Sequence, residues 1–275
     1  MQRSGPTLTR VITSAECGEC VTALTLLGDD VFVLRWSVRR VQVYDAATFA
    51  LRRRIETPPL GCPWGLAACA RHGCFYVSDG VWSVVHRVGL SGGTAAAKKW
   101  SVVGSPRGLS VNDEHNVVVA CCVANMIQEY TTHGTLVREI SLQQAGVTSP
   151  WHAVKLSTDD YVVVDCELPG AVSVVGIDGQ VVRGYVGSHT SDVGQMSYPR
   201  TLAVTSSDGV LVADRDNDRI LSINRSLSSA RVLPLPVDGG IRVPWSLCLD
   251  ESRRRLYVGE GGGRYRVLVF DGVTL

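Results

Sequence analysis

The sequence predicts an all-β protein: a six-bladed β-propeller of four-stranded antiparallel blades, one domain over residues 1–275, closed by its own N-terminal strand. Three observations lead there. A proline followed by tryptophan or arginine recurs five times in strict alternation, at Pro63-Trp64, Pro106-Arg107, Pro150-Trp151, Pro199-Arg200 and Pro244-Trp245, with gaps of 43, 44, 49 and 45 residues. A near-constant period of that length marks a repeat architecture. Between the prolines lie short runs of β-branched and aromatic residues parted by polar turns, which is strand chemistry. The 28 glycines, without a collagen-like period, suit a chain of many tight turns.

Aligned on the prolines, each unit opens with a short inner strand: Gly65–Ala70, Gly108–Val111, Ala153–Leu156, Leu202–Val204 and Ser246–Leu249. Counting back one period lands on Cys20-Val21, where Ala23–Leu27 supplies the inner strand of a first unit that lacks the proline. A polar turn then leads to a more apolar second strand: Val31–Leu34, Phe75–Val77, Val117–Val119, Tyr161–Val164, Val210–Val212 and Leu256–Val258. Third strands alternate polar and apolar residues, as in Arg40–Tyr44 and Arg219–Ile223, and turn signals such as His133-Gly134 and Asp178-Gly179 follow them. More polar fourth strands close most units, at Leu51–Ile55, Lys99–Val103, Leu136–Ile140 and Val181–Val186. Apolar inner strands and a polar outer strand are what a propeller blade requires. The sixth unit ends at Leu275 before a fourth strand, and Leu8–Thr13 is the spare that closes the ring and covers an otherwise open edge.

Composition narrows the function classes. A net charge of +1 gives no global attraction to nucleic acid or to an acidic membrane surface. No stretch approaches 18 uninterrupted apolar residues, so no membrane span is expected. Met1–Arg10 is polar and lacks the apolar core of a signal peptide. Nine cysteines, several in apolar runs, read as free buried thiols and suit a cytoplasmic setting. Cys17 and Cys20 form a lone CxxC without a second knuckle or a spaced histidine pair, so no metal is assigned to them. No cofactor is expected.

Two sets of equivalent positions carry chemistry. The first is Val21, Trp64, Arg107, Trp151, Arg200 and Trp245, which begin the inner strands and should surround one mouth of the central channel. Tryptophan and arginine there can pair through cation–π contacts. They can serve as hot spots for a protein or peptide, as stacking platforms for single-stranded RNA, or simply as a packed plug. His152, directly after Trp151, joins the candidate binding set of Trp64, Arg107, Trp151, Arg200 and Trp245. The second set is Arg35, Asp79, Cys121, Asp165, Asp214 and Glu260. Its carboxylates either cap turns by accepting backbone N–H bonds or hold a cation, and capping is the favoured reading. The runs Arg52–Arg54 and Arg253–Arg255 read as solvated surface charge, with a phosphate patch as the alternative.

One stretch resembles a known family. Gly194-Gln195-Met196-Ser197-Tyr198-Pro199-Arg200, then Leu202-Ala203-Val204, then Val212–Ile220 with Asp214, Asn217, Arg219 and Ile220, is similar to the NHL repeat. The match is strong in the fifth unit and partial elsewhere: Val77-Ser78-Asp79-Gly80 keeps only the aspartate, and Ala120-Cys121 and Gly259-Glu260 replace it. The resemblance implies a six-bladed, mostly non-enzymatic propeller like those at the C-terminal end of tripartite-motif ubiquitin ligases, where such modules bind proteins or RNA. No RING or B-box cysteine pattern accompanies it. Amidating lyases of similar architecture place zinc-binding histidines just after the blade-opening prolines, where this chain carries Trp and Arg, and a lactonase-type calcium set is not assembled. No catalytic residue is assigned. The sequence therefore points to a monomeric recognition propeller for a protein or peptide partner, with RNA as the alternative and a metal-dependent lactonase- or lyase-like enzyme as the second alternative.

Overall fold

The computed structural model describes residues 5–13, 20–36, 40–90, 97–187 and 193–275. Six antiparallel sheets of four strands account for the regular structure. The first strand, β1 (Thr7–Thr13), stands outside the repeat order. Blade 1 is β2 (Val21–Leu27), β3 (Asp30–Arg35), β4 (Arg40–Asp45) and β5 (Leu51–Glu56). Blade 2 is β6 (Pro63–Cys69), β7 (Cys74–Asp79), β8 (Val84–Gly89) and β9 (Lys98–Ser101). Blade 3 is β10 (Pro106–Val111), β11 (Val117–Cys121), β12 (Met126–Tyr130) and β13 (Leu136–Ser141). Blade 4 is β14 (Pro150–Lys155), β15 (Tyr161–Asp165), β16 (Ala171–Val175) and β17 (Val181–Val186). Blade 5 is β18 (Pro199–Val204), β19 (Val210–Asp214), β20 (Arg219–Ile223) and β21 (Ala230–Val232), and blade 6 is β22 (Pro244–Asp250), β23 (Arg255–Glu260) and β24 (Arg266–Asp271).

The expected closure is present. β1 pairs antiparallel with β24, Val11 opposite Leu268 and Ile12 opposite Val267, so blade 6 has the strand order β1-β24-β23-β22. The core is divided among the blade junctions, as a ring of sheets demands. Six apolar clusters each join two neighbouring blades; the one that seals the ring brings Leu24, Val31 and Val33 of blade 1 against Ile12, Tyr257, Val267 and Val269 of blade 6. The second strands are buried along their whole length in blades 2 to 5, which is why they read as continuous apolar runs.

Inner strands differ from expectation at their start: they begin at the prolines, two or more residues before the predicted runs. Proline lacks an N–H, so the first position of a strand suits it. Blade 5 has a fourth strand the sequence did not declare, only three residues long; Pro234 and Pro236, soon after it, cannot extend a ladder. Among the described residues no helix is long and apolar enough to cross a membrane.

Candidate functional site at the channel mouth

Strand register places the alternating residues at one end of the ring. The opening proline of each inner strand pairs with the last residue of the second strand: Pro63 with Asp79, Pro106 with Cys121, Pro150 with Asp165, Pro199 with Asp214 and Pro244 with Glu260. Register shifts directly after each proline, so Trp64, Arg107, Trp151, Arg200 and Trp245 all sit in bulges. A bulge bends the strand and re-aims its side chain. Here it gathers five side chains from five blades over the channel.

The three indoles meet one another. Ring centroids of Trp64 and Trp151 are 5.2 Å apart, Trp64 and Trp245 lie stacked at 6.1 Å, and Trp151 and Trp245 are 6.5 Å apart. The arginines fill the gaps between them. Arg107 lies 4.6 Å from the Trp64 ring and 4.8 Å from the Trp151 ring, and Arg200 lies 3.7 Å from Trp151 and 5.0 Å from Trp245. Trp151 is buried, and the other four are half-buried. The cation–π contacts expected between neighbours are made, and the cluster plugs this mouth.

Two members escaped the alignment on prolines. In blade 1 Val21 pairs with Arg35 as the prolines pair with their second strands, so the bulge falls on Thr22 rather than on the expected Val21, and an indole comes from the neighbouring strand end: Trp36 lies 4.4 Å from Trp64. Arg215 lies 4.8 Å from Trp245 and also bonds Asp216 at 2.7 Å. Both residues directly follow the second-ring positions Arg35 and Asp214, which is the offset that reveals them in the sequence.

Electrostatics at the mouth are one-sided. Neither Arg107 nor Arg200 makes an ion pair or a side-chain hydrogen bond among the described residues, and the Nε of each is enclosed without an acceptor. The Nε of Arg215 and the indole N–H groups of Trp64 and Trp245 are in the same state. Burial, with further repulsion from Arg215 and Arg107, pushes the Arg200 guanidinium down to about 10.

His152 does not join this cluster. Its Nε2 meets the Leu109 carbonyl at 3.1 Å and its Nδ1 accepts from the Leu202 N–H at 3.2 Å, so the ring is a neutral bridge between the inner strands of blades 3 and 5. Burial lowers its pKa further below the ordinary value. Both nitrogens are used within the fold, so His152 has no free ring nitrogen to offer at the mouth. Gly108 is required by the same contact, since a Cβ there would collide with the imidazole.

The second ring is a set of clamps. Asp79, fully buried, accepts N–H bonds from Gly61 (2.6 Å), Cys62 (3.1 Å), Val81 (3.0 Å) and Trp82 (3.3 Å). Asp165 does the same for Thr148, Ser149 and Glu167. Asp214 holds the Ser197 N–H, Asn217 and Arg219, and Glu260 holds the Arg242 N–H and Arg266. Each carboxylate ties the loop entering its blade, which is more than the turn cap the sequence suggested. Blades 1 and 3 lack the acid and carry a glutamine seven residues on. Gln128 accepts from the Val103 N–H at 3.0 Å and from Tyr130 at 2.9 Å, and Gln42 accepts from Arg35 at 3.1 Å and from Tyr44 at 3.2 Å. No group of three or more potential metal ligands occurs among the described residues. Cys17 of the CxxC pair and Ser188-His189 lie outside the described residues.

Around the plug, the turns that follow the second strands of blades 2, 3 and 4 expose apolar side chains: Val81, Trp82 (66% exposed), Val123 (75% exposed) and Leu168. The register fixes these turns at the same end as Trp64, Arg107 and Trp151. A cavity of about 510 Å³ opens beside Trp82, lined with Pro58, Pro59, Val84 and His86. The basic runs have acidic partners: Arg52 pairs with Asp30 and Asp45, Arg253 with Asp250 and Asp29, and Arg255 with Asp271. A phosphate patch has little free charge to draw on there.

Comparison with known proteins defines the class as a β-propeller and goes no further. Hydrazine synthase of Kuenenia stuttgartiensis shares 15% identity at a TM-score of 0.67, over 94% of this chain and 97% of that one. Virginiamycin B lyase of Staphylococcus aureus shares 11% at 0.68, over 97% and 99%, and the WD40 β-propeller domain of Doa1 shares 12% at 0.66, over 98% and 97%. At these identities the fold is what is shared. No protein-family model and no curated protein matches the sequence.

Proposed function

We propose that the chain is a non-enzymatic recognition module that binds a protein or peptide through the mouth carrying the Trp–Arg cluster. The observation that carries the reading is the apolar rim, Val81, Trp82, Val123 and Leu168, set around a central cluster of tryptophan and arginine. Soluble surfaces seldom leave large apolar side chains together in turns unless something covers them, and tryptophan with arginine is the composition of binding hot spots. A nucleic-acid strand gains little from aliphatic rim residues, and the faces of all three central indoles are occupied by arginine or by one another. The ring carboxylates are saturated by backbone N–H groups and arginines, so they lend nothing to catalysis as they stand. The NHL-like residues of blade 5 support the finer reading, that of a substrate-recognition part of a ubiquitin-ligase-type protein.

Selection of random displayed peptides on the immobilised chain tests this. Enriched peptides should lose binding to Val123→Asp and Trp82→Ser, both at exposed positions that leave folding intact. Enrichment of no sequence, or of sequences indifferent to both changes, refutes the reading.

A further inference from the structure

We propose that Arg107 and Arg200 form a receptor for a carboxylate side chain of the bound segment, so that the partner presents Asp or Glu between apolar residues. This rests on the recognition reading above and adds the chemistry of the central contact.

Elsewhere in this chain, arginines withdrawn from water have partners. Arg219 pairs with Asp214, Arg266 with Glu260, Arg255 with Asp271 and Arg253 with Asp250. Half-buried Arg87 has no acid among the described residues and is given the Thr132 hydroxyl and the His72 carbonyl instead, so a withdrawn guanidinium here is met by a carboxylate or by another acceptor, as the cost of an unsatisfied charge requires. Arg107 and Arg200 are the contrast: half-buried, both beside the Trp151 ring, and with neither an acid nor another side-chain acceptor among the described residues. Arg215 adds a third cation to the same field, and the acid beside it, Asp216, is engaged by the Arg215 Nη1. The mouth therefore holds excess positive charge at low dielectric, in a chain whose net charge is only +1.

Geometry selects the form of the missing anion. Each guanidinium carbon lies over two indole rings and each Nε is enclosed, which leaves the Nη1/Nη2 edge as the remaining binding element. Two coplanar oxygens of a carboxylate match such an edge. The surrounding rim is aliphatic and aromatic, which favours a peptide with apolar neighbours over a phosphodiester chain.

The test uses the whole chain and follows its tryptophan fluorescence. The probes are a capped Gly-Leu-Glu-Glu-Leu-Gly peptide, its Gln-for-Glu counterpart, and hexauridylate. The Glu peptide should bind at least tenfold more tightly than the Gln peptide, and the preference should vanish in R107Q/R200Q. Equal affinity for the two peptides overturns the carboxylate receptor. If that equal binding is still lost in Val123→Asp, the recognition reading survives. Tighter binding of hexauridylate, dependent on the same arginines, overturns it in favour of RNA. Absence of binding by either peptide also overturns it and leaves the recognition reading to the display experiment. Should R107Q/R200Q fold poorly, R200K keeps the charge but not the planar fork; at least a fivefold loss of the Glu preference is expected, and an unchanged preference refutes the proposal.

Discussion

Replacing Asp79 by alanine removes a fully buried clamp that accepts four backbone N–H bonds. Its Oδ1 accepts the N–H groups of Cys62, Val81 and Trp82, and its Oδ2 accepts that of Gly61. A hydrogen bond to a charged group contributes about 1.5–3 kcal/mol. Val81 and Trp82 lie in an exposed turn where water can replace the lost acceptor, so the loop that enters blade 2 carries most of the loss. About 3–5 kcal/mol is the expected cost for D79A. At roughly 2–4 °C per kcal/mol for a chain of this size, the melting temperature should fall by about 6–20 °C. D79N separates geometry from charge. Its carbonyl oxygen can keep the three Oδ1 bonds, but its amide then faces the Gly61 N–H, one lost bond, at about 1.5–3 kcal/mol. The site should loosen in parallel, because Gly80, whose N–H bonds the Cys62 carbonyl, packs against the Trp64 indole. Thermal melts by circular dichroism and tryptophan fluorescence read both effects. A D79A melt within 1 °C of the parent, or D79N as damaging as D79A, refutes the clamp argument.

Deletion of residues 1–14 should lower the melting temperature sharply, since it takes buried Ile12 and the packing of Leu8 and Val11 from blade 6 and leaves β24 as an open edge; burial of the isoleucine alone is worth about 1.5–3 kcal/mol, and an unchanged melt would refute closure by β1. Stability should also fall in acid. His152 is held neutral by burial, so its folded pKa lies below the unfolded value of about 6.5. The folded chain then binds fewer protons than the unfolded chain below that pH, and stability present above it is lost as pH falls. His72 and His86 shift the same way, so His152→Gln should flatten the dependence between pH 7.5 and 5.5 without abolishing it. Denaturant midpoints measure this, and equal slopes for parent and variant would exclude His152 as a contributor.

The architecture was legible because each blade repeats one requirement: a proline that can start an inner strand, a buried second strand, a polar exit. The closing strand followed from a missing fourth strand in the last unit. What the alignment hid lies off that one register. Trp36 and Arg215 belong to second-strand ends, and a search anchored on prolines does not compare them with Trp64 or Arg107. Gln128, braced by Tyr130, replaces the carboxylate of blade 3 from a different strand, a substitution visible only once the entering loop is seen to need an acceptor, and Gln42 with Tyr44 repeats the pair in blade 1 against Arg35. His152 misled for the opposite reason: it follows a mouth residue, but alternation along a strand turns it away from its neighbour. The rim was overlooked because turns are normally polar; yet Val81, Val123 and Leu168 recur 17 or 18 residues after their prolines.

The choice between a plug and a binding surface dissolves once the alternation is set on the ring. Five bulged Trp and Arg residues gather at one mouth, and three indoles already approach within 6.5 Å of one another. A planar guanidinium on a slender stem fits between two such rings and is attracted to both. Alternation thus follows from packing. Charge comes with it: any residue thin enough and attractive enough for those gaps brings a cation, and two gaps bring two. Blade 1 supports this account, since its bulge holds the small Thr22 and Trp36 from the next strand end approaches Trp64. The plug therefore produces the positive locus as a consequence of being well packed. The clamps then keep it rigid, because Asp79, Asp165, Asp214 and Glu260 fix the loops from which Trp64, Trp151, Arg200 and Trp245 emerge. A cationic centre pre-organised in this way loses little entropy on meeting an anion, which is why the mouth suits recognition even though its side chains are mostly buried.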